Sequence, residues 1–175
     1  MLKGALEVEE YQGYKVGLYL DEVCSEPDWD FAGEVIRNPR YGNYYDTTTE
    51  EELIARAKED YGPGDWAGVW DDRGELWAIL YLSDTKARKE YGLKRLSAKA
   101  RQRAGELLKG ESNAWQAWVR GEVYGWTLES PEGELLESVW GYYGEPRYAL
   151  SEGIKVAKGY IQQEIKNHKA PIMAC

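Results

Sequence analysis

The carboxylates are where chemistry could begin. Asp21, Glu22, Glu26, Asp28 and Asp30 crowd one short segment, and Asp46, Asp65, Asp71 and Asp72 follow. Hard cations such as Mg²⁺ or Ca²⁺ take oxygen ligands, and in an extended segment Asp28 and Asp30 point to the same side. The spaced acids and distant closing Glu of a calcium-binding loop are absent, however, and so is a phosphate-cradling Gly-rich loop. A solvated acidic surface with Asp in turns accounts for the run, and no metal ligand is assigned. Two carboxylates across a cleft are enough for glycosidase-type hydrolysis, yet nothing in the spacing singles out a pair. Cys24 sits between Glu22 and Glu26, and negative neighbours disfavour the thiolate a nucleophile needs. The single histidine, His168, and the second cysteine, Cys175, lie close to the end of the chain, so zinc and Ser-His-Asp chemistry have too few well-placed groups. No catalytic residue and no cofactor is assigned.

Two other sets could bind rather than react. Lys86, Arg88, Lys89, Lys94, Arg95, Lys99, Arg101, Arg103 and Lys109 form a basic block. Arg95, Lys99 and Arg103 are spaced by four, which lines one helix face and suits a phosphate backbone. Trp29, Tyr41, Tyr44 and Tyr45 are aromatic residues in segments rich in turn formers, and Trp and Tyr are favoured as rigid binding anchors. Trp77, Trp126 and Trp140 fall in strand-like segments, where packing is the expected role, because the chain has one Phe to build a core with.

The charge is segregated. The net charge is −9 over 175 residues, but residues 21–72 hold 15 acids and 4 bases, whereas residues 83–121 hold 10 bases and 4 acids. Part of this is expected to cancel on folding, and what does not cancel steers partners. No apolar run approaches the roughly 18 residues of a membrane helix. The first residues lack the apolar stretch of a signal peptide, so a cytoplasmic location is expected.

The elements that must carry these groups follow from periodicity. Tyr14–Leu20 alternates as a strand, and Leu76–Leu82 is apolar on both faces, as a central strand should be. Val123–Glu129 and Glu134–Trp140 flank Ser130-Pro131-Glu132-Gly133 and read as a hairpin. A further strand is read at Trp66–Trp70. Thr49 caps a helix from Glu50 to Tyr61, with acids in its first turn. Ser83 or Asp84 caps a short helix ending near Tyr91. Ser97 opens a longer one, expected to break near Gly110, and Tyr148–Asn167 forms the last. The expected fold is a single α+β domain over residues 1–168, with a mainly antiparallel sheet of four to five strands and three to four helices over one face. Residues 169–175 are expected to be a mobile tail.

The order of segments resembles a family of uncharacterised proteins encoded by bacteriophages and prophages. The pieces that carry the resemblance span roughly residues 16–160. They are Tyr19-Leu20-Asp21-Glu22, Pro27-Asp28-Trp29-Asp30, Arg40-Tyr41, and Trp70-Asp71 leading into the strand that ends at Tyr81. After these come Arg88-Lys89-Glu90-Tyr91-Gly92-Leu93-Lys94-Arg95-Leu96-Ser97, Gly121-Glu122-Val123-Tyr124-Gly125-Trp126 and Glu137-Ser138-Val139-Trp140-Gly141-Tyr142-Tyr143-Gly144. Between Tyr45 and Trp70 the chain is shorter than the family pattern, which carries an extra apolar strand and a histidine-containing turn there. The family brings no established activity, so the resemblance implies a setting. Small acidic phage proteins commonly act by stoichiometric contact with host defence proteins.

The leading expectation is therefore a non-enzymatic inhibitor of a host nuclease, of the anti-restriction or anti-CRISPR type. Asp21, Glu22, Glu26, Asp28, Asp30 and Asp46 would imitate a phosphate backbone, with Trp29, Tyr41, Tyr44 and Tyr45 as anchors. The alternatives are a nucleic-acid or nucleotide-binding module using Arg95, Lys99 and Arg103, and a carboxylate- or metal-dependent hydrolase.

Overall fold

The computed structural model describes residues 2–28, 30–42 and 48–169. Among these the elements run β1 (Glu7–Tyr11), β2 (Tyr14–Leu20), β3 (Glu34–Arg37), α1 (Glu50–Tyr61), β4 (Gly64–Trp70), β5 (Leu76–Ser83), α2 (Asp84–Glu90), α3 (Ala98–Val119), β6 (Val123–Glu129), β7 (Leu135–Tyr143) and α4 (Pro146–Lys169). The α+β class is as expected, but the strands form two antiparallel sheets, one of four and one of three. Contacts group the chain into two compact units, Met1–Cys24 with Glu122–Cys175, and Ser25–Gly121. Among the described residues no helix is long and apolar enough to cross a membrane.

The unit from Ser25 to Gly121 is built around β5, which lies between β3 and β4. Ile79 and Leu80, consecutive in β5, are both fully buried. Ala78, Leu80 and Leu82 pack with Ala87 of α2 and with Ala104, Leu108 and Trp115 of α3. Ile79 and Tyr81 pack with Leu53 and Ala57 of α1. Successive residues of a strand point to opposite faces, so helices cover both faces of this sheet, where one covered face was expected. A strand apolar on both sides can be buried only in this way.

Local chemistry sets the helix starts. Thr49 closes a capping box: its Oγ1 accepts the Glu52 N–H at 3.3 Å, and its own N–H donates to Glu52 Oε2 at 2.9 Å. Ser83 and Ser97 cap α2 and α3. Helix α3 runs unbroken through Gly105 and Gly110, against expectation. Each glycine costs about 1 kcal/mol of helix propensity, and the buried anchors Leu108, Glu111 and Trp115 on either side of Gly110 outweigh it. A bulge shifts the β4–β5 pairing from Val69↔Ala78 to Trp70↔Leu76, leaving Trp77 as the extra residue. Trp77 joins the α3 side, stacked on Trp115 at 5.5 Å and edge-on to Trp118 at 5.8 Å.

In the other unit the strand order is β1-β2-β6-β7. Tyr14, Val16 and Leu18 of β2 and Trp126 and Leu128 of β6 pack against Ala149, Leu150, Ala157 and Ile161 of α4. The turn from Ser130 to Gly133 closes as read, with the Ser130 N–H donating to Glu134 O at 2.8 Å. Strands β1 and β2 join through Gln12 and Gly13, both at positive φ (53° and 88°), as a two-residue type I′ turn requires. Trp140 is not a core residue. Its ring lies over Gly125 on the face away from Trp126 and α4, 47% exposed, with Tyr19 beside it at 6.0 Å. A Cβ on Gly125 would stand 2.2 Å from Trp140 Cε3. Gly125→Ala is therefore expected to displace the indole and cost about 1–3 kcal/mol, measured by urea unfolding together with a shift in tryptophan emission.

Tyr14 ties β2 to α4: its hydroxyl donates to Glu164 Oε1 at 2.5 Å. That hydrogen bond, helped by burial, pushes the phenol up to about 12. A raised pKa favours the protonated phenol in the folded chain. The resulting stability is complete below the ordinary tyrosine value near 10 and is lost as pH rises towards 12. Alkaline unfolding curves of Tyr14→Phe are expected to lack this loss between those limits.

Candidate functional site

The acids singled out from the sequence are divided between the two units. Asp21 and Glu22 belong to the unit of β1, β2, β6, β7 and α4; Glu26, Asp28 and Asp30 belong to the other. Trp29, Tyr44, Tyr45 and Asp46 lie outside the described residues, as do residues 170–175 of the tail expected at 169–175; Lys169 itself is the last residue of α4. Glu26 is engaged: both its oxygens accept from Arg37 Nη2, at 2.8 and 2.7 Å. The guanidinium of Arg37 also sits 5.2 Å from the centre of the Trp77 ring. Asp28 and Asp30 are exposed and make no ion pair among the described residues. Asp21 is half-buried and accepts the Val23 N–H at 3.4 Å. The Cys24 thiol is pushed up, by burial first and then by the charge of Asp21, which suits a non-nucleophilic cysteine.

Tyr41 is exposed, but its hydroxyl is held by Asp71 Oδ2 at 3.1 Å. Asp71 is buried at the start of the β4–β5 turn. Its Oδ1 accepts the N–H groups of Arg73 at 2.9 Å and Glu75 at 2.8 Å, and its Oδ2 accepts Arg73 Nε at 2.9 Å. Burial alone would raise its pKa. The Glu75 N–H, the Arg73 guanidinium, the Tyr41 hydroxyl and the Arg73 N–H outweigh burial and hold it below the usual carboxylate range. This residue staples a turn. Beside it Asn38, Thr49, Glu50, Glu51 and Glu75 line a cavity of about 470 Å³. Burial, then the charge of Glu51, raises the Glu50 carboxyl. Among the described residues no three His, Cys, Asp or Glu side chains are grouped so as to hold a metal ion.

The basic block divides into paired and unpaired members. Lys86 Nζ reaches Glu34 Oε1 at 2.7 Å. Arg101 takes Asp84 with both Nη atoms, at 2.9 and 2.8 Å, and Asp65 at 3.5 Å. Lys89, Lys94, Arg95, Lys99, Arg103 and Lys109 are exposed and make no ion pair among the described residues. Lys99 and Arg103 share a face of α3, one turn apart. Arg95 precedes the Ser97 cap and so is not on the helix. The spacing of four brings together two of the three cations.

Sequence reasoning passed over Glu111. This carboxylate of α3 is buried and accepts two consecutive amides, Ala32 N–H at 2.7 Å and Gly33 N–H at 2.9 Å. It anchors the segment carrying Asp28 and Asp30. Its partners lie 79 and 78 residues away, so no local spacing signals it. Neither family models, curated proteins nor solved structures yield a match to this chain.

Proposed function

We propose that the protein is a phage-encoded accessory factor that acts by stoichiometric binding to a host protein which handles nucleic acid. One observation carries this: the two charge blocks neutralise each other only in part, through Lys86 with Glu34 and Arg101 with Asp65. Among the described residues Asp28, Asp30, Glu51, Glu59 and Asp72 are exposed without ion pairs, while six cations of the basic block are equally unengaged. Uncompensated charge of one sign speeds encounter with the opposite sign and fixes register. An acidic surface of this kind suits the cationic channel in which a nuclease holds nucleic acid. The resemblance to phage proteins supplies the setting.

The test is a titration of DNA cleavage by the host's restriction or RNA-guided nuclease. Cleavage is expected to fall to zero at one chain per nuclease. Asp28→Asn with Asp30→Asn should slow association several-fold at low salt and flatten its salt dependence. Residual cleavage at large excess, or the same inhibition from the doubly substituted chain, would count against the proposal.

A second reading is favoured by Lys89, Lys94, Arg95, Lys99, Arg103 and Lys109 remaining unpaired: direct contact with a phosphate backbone. It requires that labelled DNA bind the chain alone, with affinity falling steeply with salt. Lys99→Glu with Arg103→Glu would then abolish binding and leave the acidic substitutions silent.

A further inference from the structure

β1 is the end strand of its sheet, and its outward N–H and C=O groups pair with no other strand among the described residues. All five of its residues are exposed. Glu7 stands opposite Leu18 and Glu9 opposite Val16. Leu18 and Val16 pack under α4, so both glutamates face the α4 side. There they line a groove of about 410 Å³ with Arg147, Leu150, Ser151 and Ile154. Glu7, Glu9 and Glu10 make no ion pair among the described residues.

We propose that this edge and groove receive an extended basic segment of a partner protein, added as one more strand beside β1. The edge supplies backbone hydrogen bonds whatever the sequence of the added strand. Glu7 and Glu9 are two residues apart, the period of one strand face, so Lys or Arg at alternate positions of the added strand meets them. The aliphatic stems of those residues lie on Leu150 and Ile154 while their charged heads reach the carboxylates. A second copy of the chain is the poorer occupant. Pairing β1 with β1 would crowd Glu7, Glu9 and Glu10 against the same three side chains, and like charges across strands destabilise. This surface uses none of the acids of residues 21–72, and the proposal stands or falls independently of the function proposed above.

The probe is a synthetic peptide of alternating Lys and Val, added to the isotope-labelled full chain and followed by amide shifts. Shifts are expected in β1 and the first turns of α4, with slowed hydrogen exchange along β1. Glu7→Gln with Glu9→Gln should weaken binding roughly fivefold, the combined worth of two exposed ion pairs. Both substitutions are on an exposed edge, and an unchanged spectrum elsewhere verifies the fold. The same peptide N-methylated at alternate residues keeps its charge, loses strand-forming N–H groups, and should not bind. Shifts centred elsewhere, equal binding of the N-methylated peptide, or indifference to the glutamine substitutions would overturn the proposal. So would a β1-mediated dimer of the chain at the peptide concentrations used.

Discussion

Asp71→Ala is expected to cost about 2–4 kcal/mol, the range for deleting a buried carboxylate that satisfies several donors. Four donors lose their acceptor at once: two turn N–H groups, the Tyr41 hydroxyl and Arg73 Nε. The loss should be concentrated in β4 and β5, whose connecting turn Asp71 organises, and hydrogen exchange of their amides is the readout. Tyr41 should also be released, which a shift in its ring resonances would report. The pH dependence follows from the lowered pKa. A depressed carboxylate contributes stability that is complete above the ordinary Asp value of 3.8 and fades as pH falls below it through the folded-state value. Acid unfolding of Asp71→Asn should therefore be shallower in that range than that of the parent chain. An Asp71→Ala variant unfolding within about 0.5 kcal/mol of the parent would mean that the turn holds itself together.

Trp126→Ala is expected to cost about 3–5 kcal/mol, the usual range for emptying the site of a buried aromatic. The side chain is 1% exposed, in the middle of the cluster between β2, β6 and α4. Its Nε1 donates to the Tyr142 hydroxyl at 3.0 Å. Gly153 of α4 lets the helix lie against the indole, since a Cβ there would stand 3.0 Å from Trp126 Cδ2. The cavity left by alanine is framed by a strand, a helix and a hydrogen-bonded hairpin, so little collapse can fill it. Trp126→Phe keeps most of the packing and should cost about 1–2 kcal/mol, chiefly the lost N–H and the volume difference. Urea melts of both variants check the order, and equal costs would mean that the hydrogen bond, not the volume, dominates.

What was legible in the sequence is what local chemistry encodes. Thr49 with Glu52, then Gly62, marks α1 to the residue. The two-faced apolar run marks β5, and Pro131 with Gly133 marks the β6–β7 turn. β1 was missed because three of its five residues are glutamates. An edge strand with both faces wet needs no apolar alternation, and its pairing is set by the Gln12-Gly13 turn. β3 was missed for a related reason. It is four residues long and joins the sheet by pairing with β5. The division into two sheets is equally non-local, since β2 pairs with β6 more than a hundred residues away. For the candidate site, the residue types were read but not their company. Glu26 sits against Arg37, and Tyr41 against Asp71, through folding that no spacing announces. Arg95 is off the helical face because the spacing of four was counted across the Ser97 cap, which starts α3 as read.

The most direct test of the proposed function is capture on the immobilised chain from lysate of a bacterial host, before and after the nucleic acid is digested. The account predicts that a nucleic-acid-handling protein is retained in one-to-one amount, survives digestion, and is lost when Asp28, Asp30, Glu51 and Glu59 are neutralised. It also predicts that Lys99→Glu with Arg103→Glu leaves that retention unchanged. Retention that disappears on digestion, or that fails in the Lys99 and Arg103 variant while the acid-neutralised chain still binds, would contradict it.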